Sequence, residues 1–316
     1  MLSGLSLPEL ACLLVAGVLL DLLLGEPRRW HPLVGFGKLA QHIEEWLNRG
    51  KLLIGRGVLA WMLAVLPLSV LAWLAADHAG IWLHAFLLYA CIGLRSLRDH
   101  TAPIVDALRA GDLQTARTRT SWIVSRDTQH ALEPDLAKAG AESLLENGND
   151  AVFGTLFWFM VLGGAGAVLF RLANTLDAMW GYRNTRFNLF GRAAARIDDA
   201  LNYLPARLTA MSYVLLAGRA RGRAWQCWRR QAPAWSSPNA GPVMASGAGA
   251  LGVSLGGAAV YDGQVEQRPP LGEGPAATVT DIVRAWRLVL HTTILWLGVA
   301  AFLAALIVVL QRGPHA

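Results

Sequence analysis

Residues 142–173 read ESLLENGNDAVFGTLFWFMVLGGAGAVLFRLA. Three carboxylates four residues apart, Glu142, Glu146 and Asp150, run directly into an apolar segment, 151–173. Residues at this spacing share one face of a helix, provided that the helix extends to Asp150. Such a row is often only a solvated face, but solvation is less needed beside an apolar segment. The stretch therefore predicts an acidic site at the edge of a membrane-associated segment.

Glycines at 163, 164 and 166 break the apolar segment, which is either one span or two short helices that enter and return. The positive-inside rule places basic loops on the cytoplasmic side. The loops rich in Arg or Lys are 25–56, 95–150, 174–200 and 218–287. Since a single crossing at 151–173 would break this pattern, we predict a re-entrant or partly buried hairpin. Residues 200–217 contain Pro205 and Arg207 and are not expected to be an ordinary lipid-facing span.

The composition indicates an integral membrane protein. Hydrophobic residues make up 54% of the 316 residues and charged residues 16%, against about 25% charged in a soluble domain. The net charge of +6 fits positive loop charges, some of which could bind anionic ligands. No basic domain is separable from the apolar segments, so a nucleic-acid partner is not expected. The three cysteines are isolated and lack metal-ligand or disulfide spacing.

Hydropathy and periodicity predict an all-α, polytopic fold with a helical active-site region on the cytoplasmic side. The predicted spans are 5–24, 57–76 (interrupted by Pro67), 81–94 and 292–310. The predicted amphipathic or interfacial helices are 33–50, 218–230 and 278–290. The predicted helices between the spans are 103–110, 113–124 and 133–147. Residues 237–241 form an anion-binding loop or a turn, and 247–252 a helix of small residues for close packing.

Three regions follow from this pattern. Residues 1–94 hold the N-terminal membrane helices, 95–290 form a helical catalytic region that includes 151–173 and 200–217, and 291–316 form the last helix and tail. Within 126–208, carboxylates alternate with arginines and amides. Carboxylates can hold Mg²⁺, and arginines and amides can hold phosphate oxygens. We therefore expect a site for a phosphorylated substrate, without a standard P-loop.

The chain resembles the membrane-bound adenosylcobinamide-phosphate synthases of the cobalamin pathway, from about residue 18 to residue 275. The motifs that carry the resemblance are Asp21–Pro27 with His31-Pro32, Ser125–Thr128, Glu142–Asp150, Asn174–Met179 with Gly181–Asn184, Ala195–Leu208, and Ser237–Gly241 before Gly249–Gly252. The runs Asn174–Asn184 and Ala195–Leu208 are the most specific. Glu26 stands where the family often has Asp, and Pro242 where many relatives have an aromatic residue.

The resemblance implies an ATP-dependent amide ligase that uses Mg²⁺. It would join the carboxylate of adenosylcobyric acid to the amine of (R)-1-aminopropan-2-ol O-phosphate through an acyl phosphate. The implied Mg²⁺–nucleotide ligands are Glu142, Glu146 and Asp150. The implied catalytic residues are Asp177, Asp198, Asp199 and Arg183, with the general base among the aspartates. The implied substrate- and phosphate-binding residues are Arg126, Asn147, Asn174, Asn184, Arg196, Asn202, Arg207 and Asn239. His31 is either a base or a hydrogen-bonded turn residue.

These expectations lead to one pocket beside the bilayer in which both acidic sets and the arginines converge. The expected location is the bacterial inner membrane, with the corrinoid and the amine phosphate bound on the cytoplasmic side. Contacts with neighbouring cobalamin-pathway enzymes and a homo-oligomer are further expectations. The alternatives are a non-enzymatic signalling or sensor relative on the same scaffold and, less favoured, a transporter, which would need polar residues along its spans.

Overall fold

The computed structural model describes residues 4–27 and 32–312. The helices are α1 Leu7–Leu24, α2 Pro32–Leu47, α3 Leu53–Ala79, α4 Trp82–Cys91, α5 Leu94–Arg109, α6 Leu113–Ser121, α7 Glu133–Gly148, α8 Gly154–Trp180, α9 Arg192–Leu216, α10 Arg221–Gln231, α11 Ala240–Leu251 and α12 Val279–Arg312. Strands β1 Leu255–Tyr261 and β2 Gln264–Leu271 form one antiparallel hairpin. Short 3₁₀ turns occupy Gly218–Ala220 and Ala232–Ala234, and a π-helical turn occupies Asn149–Phe153. The fold is all-α apart from the hairpin, as predicted.

The chain divides into two compact units, whose limits are Met1–Gly93, Gly154–Asn202 and Trp296–Ala316 for the first, and Leu94–Phe153 and Tyr203–Leu295 for the second. The predicted functional regions 1–94, 95–290 and 291–316 follow a different division. The difference lies in Gly154–Asn202, which packs with the N-terminal helices instead of the following ones. The apolar side chains of α2, α3 and α8 form one buried core here, with Trp61, Leu176 and Trp180 among its members.

The apolar segment of α8 folds back on itself, as the glycines and the loop charges predict. Gly163 has φ 65° and ψ −152°, which interrupts the helix, and this backbone region is accessible essentially to glycine alone. A methyl group built on Gly154 would lie 2.1 Å from Cζ of Phe170. In a continuous helix, residues 16 apart would be about 24 Å apart. Residues 154–162 and 164–180 therefore pack against each other as the two helices of a hairpin that turns at Gly163.

Among the described residues, four helices are long and apolar enough to cross a membrane: Leu7–Leu24, Leu53–Ala79, Glu133–Trp180 and Val279–Gln311. The third of them contains the fold-back at Gly163, so its length does not amount to one straight crossing. The predicted span at 81–94 is wrong in its extent. Helix α4 has ten residues and ends at Cys91, and the backbone of the following residue, Ile92, is extended. That length spans about 15 Å, half of the apolar layer of a bilayer.

Two other elements differ from the prediction. The amphipathic helix 278–290 and the span 292–310 are one uninterrupted helix, α12. Pro67 and Pro103 lie inside α3 and α5 instead of interrupting or starting a helix. Asp112, which lies between the predicted helices 103–110 and 113–124, caps α6, its carboxylate accepting the Thr115 backbone N–H at 3.0 Å. Helix α9 is not among the helices of the described residues that are long and apolar enough to cross a membrane, as predicted for residues 200–217.

The second unit places the β-hairpin against α7. Helix α11 is almost entirely buried and packs closely on α10. A methyl group on Gly249 would lie 2.8 Å from Cα of Ala224, so the predicted role of the small residues in close packing is confirmed. The hairpin follows α11 directly and turns at Asp262 and Gly263, both with positive φ. This arrangement brings β2 back toward the acidic face of α7.

Candidate functional site

A buried carboxylate joins the hairpin to α7. Glu142 is 2% exposed. Its Oε1 accepts the Gly256 backbone N–H at 2.6 Å. Arg268 from β2 donates to both carboxylate oxygens, at 3.1 and 3.3 Å, and Arg126 donates to Oε2. Three donors from distant positions therefore converge on one side chain, which compensates the cost of burying its charge.

Both guanidinium groups lie at the wall of an open cavity of about 480 Å³. Their side chains are 11% and 10% exposed for Arg126 and Arg268. Glu146 and Asn147 from α7 line the same cavity. Trp235 also lines it, and the Arg268 guanidinium lies 5.5 Å from the centre of its ring. The cavity thus combines two fixed cations with a facing carboxylate and amide.

The three predicted metal ligands do not act as one set. Both oxygens of Glu142 are engaged by arginines and a backbone N–H, so this carboxylate is not available to a cation. The helix changes to a π-helical turn at Asn149, and Asp150 Oδ1 accepts the Asn149 side-chain amide at 3.0 Å. Within residues 4–27 and 32–312, no three His, Cys, Asp or Glu side chains form a group that could hold a metal. Metal contact by Glu146 or Asp150 stays a prediction.

The loop before α7 holds the tip of the hairpin. The Asp127 backbone N–H donates to the Val260 carbonyl at 2.8 Å. The Gly263 N–H donates to Asp127 Oδ2 at 2.7 Å. Thr128 Oγ1 donates to the Arg117 carbonyl at 3.0 Å, which fixes the loop to α6. The motif Arg126-Asp127-Thr128 therefore anchors the hairpin at both ends, through Asp127 at its tip and through Arg126 and Glu142 at its base.

The second predicted acidic set assembles in the first unit, on α8 and α9. Asn174 and Asn202 donate to the two carboxylate oxygens of Asp198, at 3.3 and 3.1 Å. Asp177 is close enough to Asp198 and Asp199 to repel both electrostatically. The structure thus brings together the predicted acidic set of Asp177, Asp198 and Asp199. It also places Asn174 and Asn202, both predicted to bind substrate, on the Asp198 carboxylate.

Asp198 has an environment suited to proton transfer. Its side chain is buried at 7% exposure. Burial raises the pKa of this carboxyl to about 6, Asp199 adds to the increase, and the two asparagine hydrogen bonds oppose it. Burial also raises the pKa of Asp199, against the attraction of Arg196 and Arg183. A carboxyl that titrates near neutrality is a better general base than an ordinary aspartate.

The segment between α8 and α9 is fixed by an ion pair with α2. Arg186 donates to both oxygens of the buried Glu44, at 3.1 and 2.5 Å. Asn48 donates to Glu44 at 2.6 Å and to the Arg186 carbonyl at 3.1 Å. Asn184 accepts the Arg186 and Phe187 backbone N–H groups, so its carbonyl shapes this turn instead of facing a ligand. Arg183 next to it is exposed.

Arg207 and Asn239, both predicted to bind substrate, contact each other in the second unit. Arg207 Nη1 donates to Asn239 Oδ1 at 2.8 Å and to the Tyr203 carbonyl at 2.9 Å. The guanidinium carbon lies 3.5 Å from the centre of the Tyr203 ring. Asn239 is buried. The pair is rigidly placed, but these contacts already use part of its hydrogen-bonding capacity.

The chain matches the family model described as CobD/Cbib protein over residues 14–289. It is 57% identical over 297 residues to the "Cobalamin biosynthesis protein CobD" of Stutzerimonas stutzeri, covering 93% of this chain and 95% of the relative. The chain belongs to the CobD/Cbib family. The protein of the same name from Chromobacterium violaceum is 55% identical over 311 residues, covering 95% of this chain and 97% of the relative. The one from Mycobacterium tuberculosis is 38% identical over 311 residues, covering 94% and 95%. No solved structure matches the chain.

Three residues at these sites are not found by sequence reasoning. Arg268 and Trp235 reach the cavity through the hairpin and a 3₁₀ turn, neither of which the sequence pattern predicts. Glu44 lies on the buried face of α2 with Phe36, Ala40 and Leu47, whereas a solvated position is the default expectation for a glutamate in an amphipathic helix. A signal for Arg268 exists in the sequence, because it stands beside two prolines and no other lysine or arginine lies between Arg230 and Arg284. His31, Arg28 and Arg29 lie outside the described residues. The convergence of the two acidic sets into one pocket stays a prediction.

Proposed function

We propose that this CobD/Cbib family member is a membrane enzyme of cobalamin biosynthesis. It joins the carboxylate of adenosylcobyric acid to the amine of (R)-1-aminopropan-2-ol O-phosphate, giving adenosylcobinamide phosphate with conversion of ATP to ADP and phosphate. Family membership and the relatives' names support the pathway. The motif resemblance over residues 18–275 supports the reaction.

The observation that carries the proposal is the pair Arg126 and Arg268, held by Glu142 at the wall of the 480 Å³ cavity. A free carboxylate is a poor electrophile, so it is first phosphorylated, and the amine then displaces phosphate from the acyl phosphate. Negative charge develops on the transferred phosphoryl oxygens in both steps. Guanidinium groups that are fixed in advance stabilise such charge without reorganisation. Glu142 fixes them, which makes it a positioning residue.

The donor set at this cavity fits Mg²⁺ bound together with a nucleotide. Mg²⁺ is usually held by one or two carboxylates plus substrate phosphates and water, not by an all-protein cage. Glu146 is the lining carboxylate of α7 that the arginines do not bind in the described contacts. When bound, the ion would neutralise phosphate charge in the phosphoryl transfer.

The acidic set of the first unit supplies the base in this proposal. The amine substrate arrives as an ammonium and must lose a proton before it attacks. Asp198, with its pKa raised to about 6 by burial, accepts a proton more readily than an exposed aspartate. Asp177 and Asp199 attract the ammonium to this place. Arg183 and Arg196 are proposed to hold the phosphate of the amine substrate.

A ligation assay in purified membranes tests the proposal. Wild-type enzyme with both substrates and Mg²⁺–ATP should form one adenosylcobinamide phosphate for each ADP. Arg268→Lys keeps the charge and loses the two-point contact, and it should lower kcat by roughly 100-fold. The matched control, Arg109→Lys on an exposed turn of α5, should be unaffected. Nucleotide binding without product would instead favour a sensor, and no nucleotide dependence would refute the ligase.

The proposed location is the bacterial inner membrane, with the reaction on the cytoplasmic side. The apolar helices α1, α3 and α12 support membrane insertion. The arginine content of the loops supports the orientation. Partners among neighbouring pathway enzymes and a homo-oligomer belong to the same proposal.

A further inference from the structure

A second cavity lies next to the first in the same unit, and Arg126 lines both. It has a volume of about 670 Å³ and is formed by the loop after Arg126, the first turns of α7 and the outer part of the hairpin. The shared wall matters because the guanidinium of Arg126 is bound to Glu142 and cannot move away without breaking that pair. The two cavities therefore meet at a fixed cation.

The two cavities differ in chemistry. The first is lined by Arg126, Arg268, Glu146 and Asn147. The second has apolar walls from Leu136, Ala139, Val260 and Val265, and its polar lining groups are Asp127, Thr128, Gln129, His130, Asp135, Lys138 and Asp262. Pockets that hold small organic ligands, at about 300–1,000 Å³, combine apolar walls with polar groups that fix the orientation of the ligand. The first cavity suits a polyphosphate, and the second suits a flat, partly apolar ring system with hydroxyl groups.

The charges of the first cavity decide the form in which a polyphosphate enters. Glu142 offsets the arginines, and the carboxylates of Glu146 and Glu266 also line this cavity. A bare triphosphate would meet carboxylate repulsion there, whereas its Mg²⁺ complex would not. The site thus fits a magnesium–nucleoside triphosphate with the phosphates at Arg126 and Arg268.

We propose that the 670 Å³ cavity between the hairpin and the start of α7 binds the nucleoside of ATP, while the 480 Å³ cavity binds its phosphates. This inference rests on the proposed ligase function and locates its nucleotide. The corrinoid substrate is several-fold larger than a nucleoside and does not fit inside a space of 670 Å³. The base lies along Val260 and Val265, and the Asp135 carboxylate faces the ribose hydroxyl groups.

Bulky substitutions on the hairpin test the assignment. Val260 and Val265 are paired neighbours on β1 and β2, and both line the second cavity. Val260→Trp and Val265→Trp each fill the cavity and keep a residue that favours strands. Gln264→Trp is the matched control, because Gln264 is exposed on the same hairpin and lines neither cavity. Thermal unfolding of the purified full-length variants in detergent checks folding.

Binding is measured by titration with a non-hydrolysable ATP analogue and, separately, with inorganic triphosphate, both with Mg²⁺. Either cavity variant should raise the Kd of the analogue by ~10-fold or more and leave that of triphosphate unchanged, and the control should alter neither. Unchanged analogue binding in both folded cavity variants would overturn the proposal, and so would equal loss of both ligands. A rise in KM for adenosylcobyric acid alone would assign the cavity to the corrinoid instead. If wild-type protein binds neither ligand, the ligase function itself fails.

Discussion

Replacing Glu142 by Gln tests the idea that one carboxylate holds both arginines and the hairpin. The substitution keeps the size of the side chain but removes its charge, and it replaces one acceptor oxygen with an NH₂ donor. The Gly256 contact at 2.6 Å can survive, whereas at least one guanidinium loses its acceptor. Removing one partner of a buried ion pair costs about 3–5 kcal/mol. Because both arginines are about one-tenth exposed, we expect the lower end, about 3 kcal/mol.

Hydrogen exchange of the amides in Leu255–Leu271 measures this effect locally, without requiring reversible unfolding of a membrane protein. A loss of about 3 kcal/mol corresponds to exchange roughly 100-fold faster or more. The control Glu133→Gln removes an exposed carboxylate from the first turn of the same helix and should change exchange by a few-fold at most. Hairpin exchange within threefold of wild type in Glu142→Gln would refute the reasoning. Ligase activity should fall together with the protection of the hairpin amides from exchange, because the arginines lose their fixed position.

Three further predictions concern the first unit. Asp198 binds its proton more tightly in the folded protein, so its stabilising contribution is complete below its ordinary pKa of 3.8 and is lost as pH rises through about 6. Asp198→Asn should therefore flatten the pH dependence of the midpoint of thermal unfolding in that window. An unchanged slope would contradict this. Arg186→Lys loses the two-point contact with Glu44 and should lower the stability of this contact by about 1 kcal/mol, since the arginine is 59% exposed. Amide hydrogen exchange of residues 181–191 should become faster. Unchanged exchange would argue against the ion pair as the contact that fixes this segment. Gly163→Ala should cost about 1–3 kcal/mol because of its positive φ and lower the midpoint of thermal unfolding. The control is Gly298→Ala, where the added methyl group meets open space. This substitution should not lower the midpoint of thermal unfolding.

Local chemistry explains which elements are predictable from sequence. Pro134 in the first turn of α7 and Asp112 at the start of α6 act on their own neighbours, so their effects are readable in the chain. The fold-back at Gly163 is predictable because two independent signals agree, the glycine run and the basic loops on both sides. Asp177 and Asp198 also lie on successive helices, which favours their meeting.

Long-range contacts explain what is not predictable. Glu142 and Arg268 are 126 positions apart, and no local pattern shows that they pair. The hairpin is hidden because glycines and prolines interrupt its alternation and a bulge lies between Gly256 and Ala258. Helix α4 ends at Cys91 within a run that remains apolar, so hydropathy extends it too far. In α12 no helix-breaking residue separates the amphipathic half from the apolar half, and two predicted helices are one.

The turn at Gly163 also affects how the topology of this protein is to be mapped. A segment that enters the membrane and returns to the same side contributes an even number of membrane crossings. The chain before Gly154 and the chain after Trp180 should therefore lie on the same side of the membrane. Counting that segment as a single crossing would reverse the assigned sidedness of every loop between it and the last apolar helix, including the arginine-rich stretch 218–230. Cysteine-accessibility mapping or reporter fusions placed on either side of the turn should therefore report the same compartment.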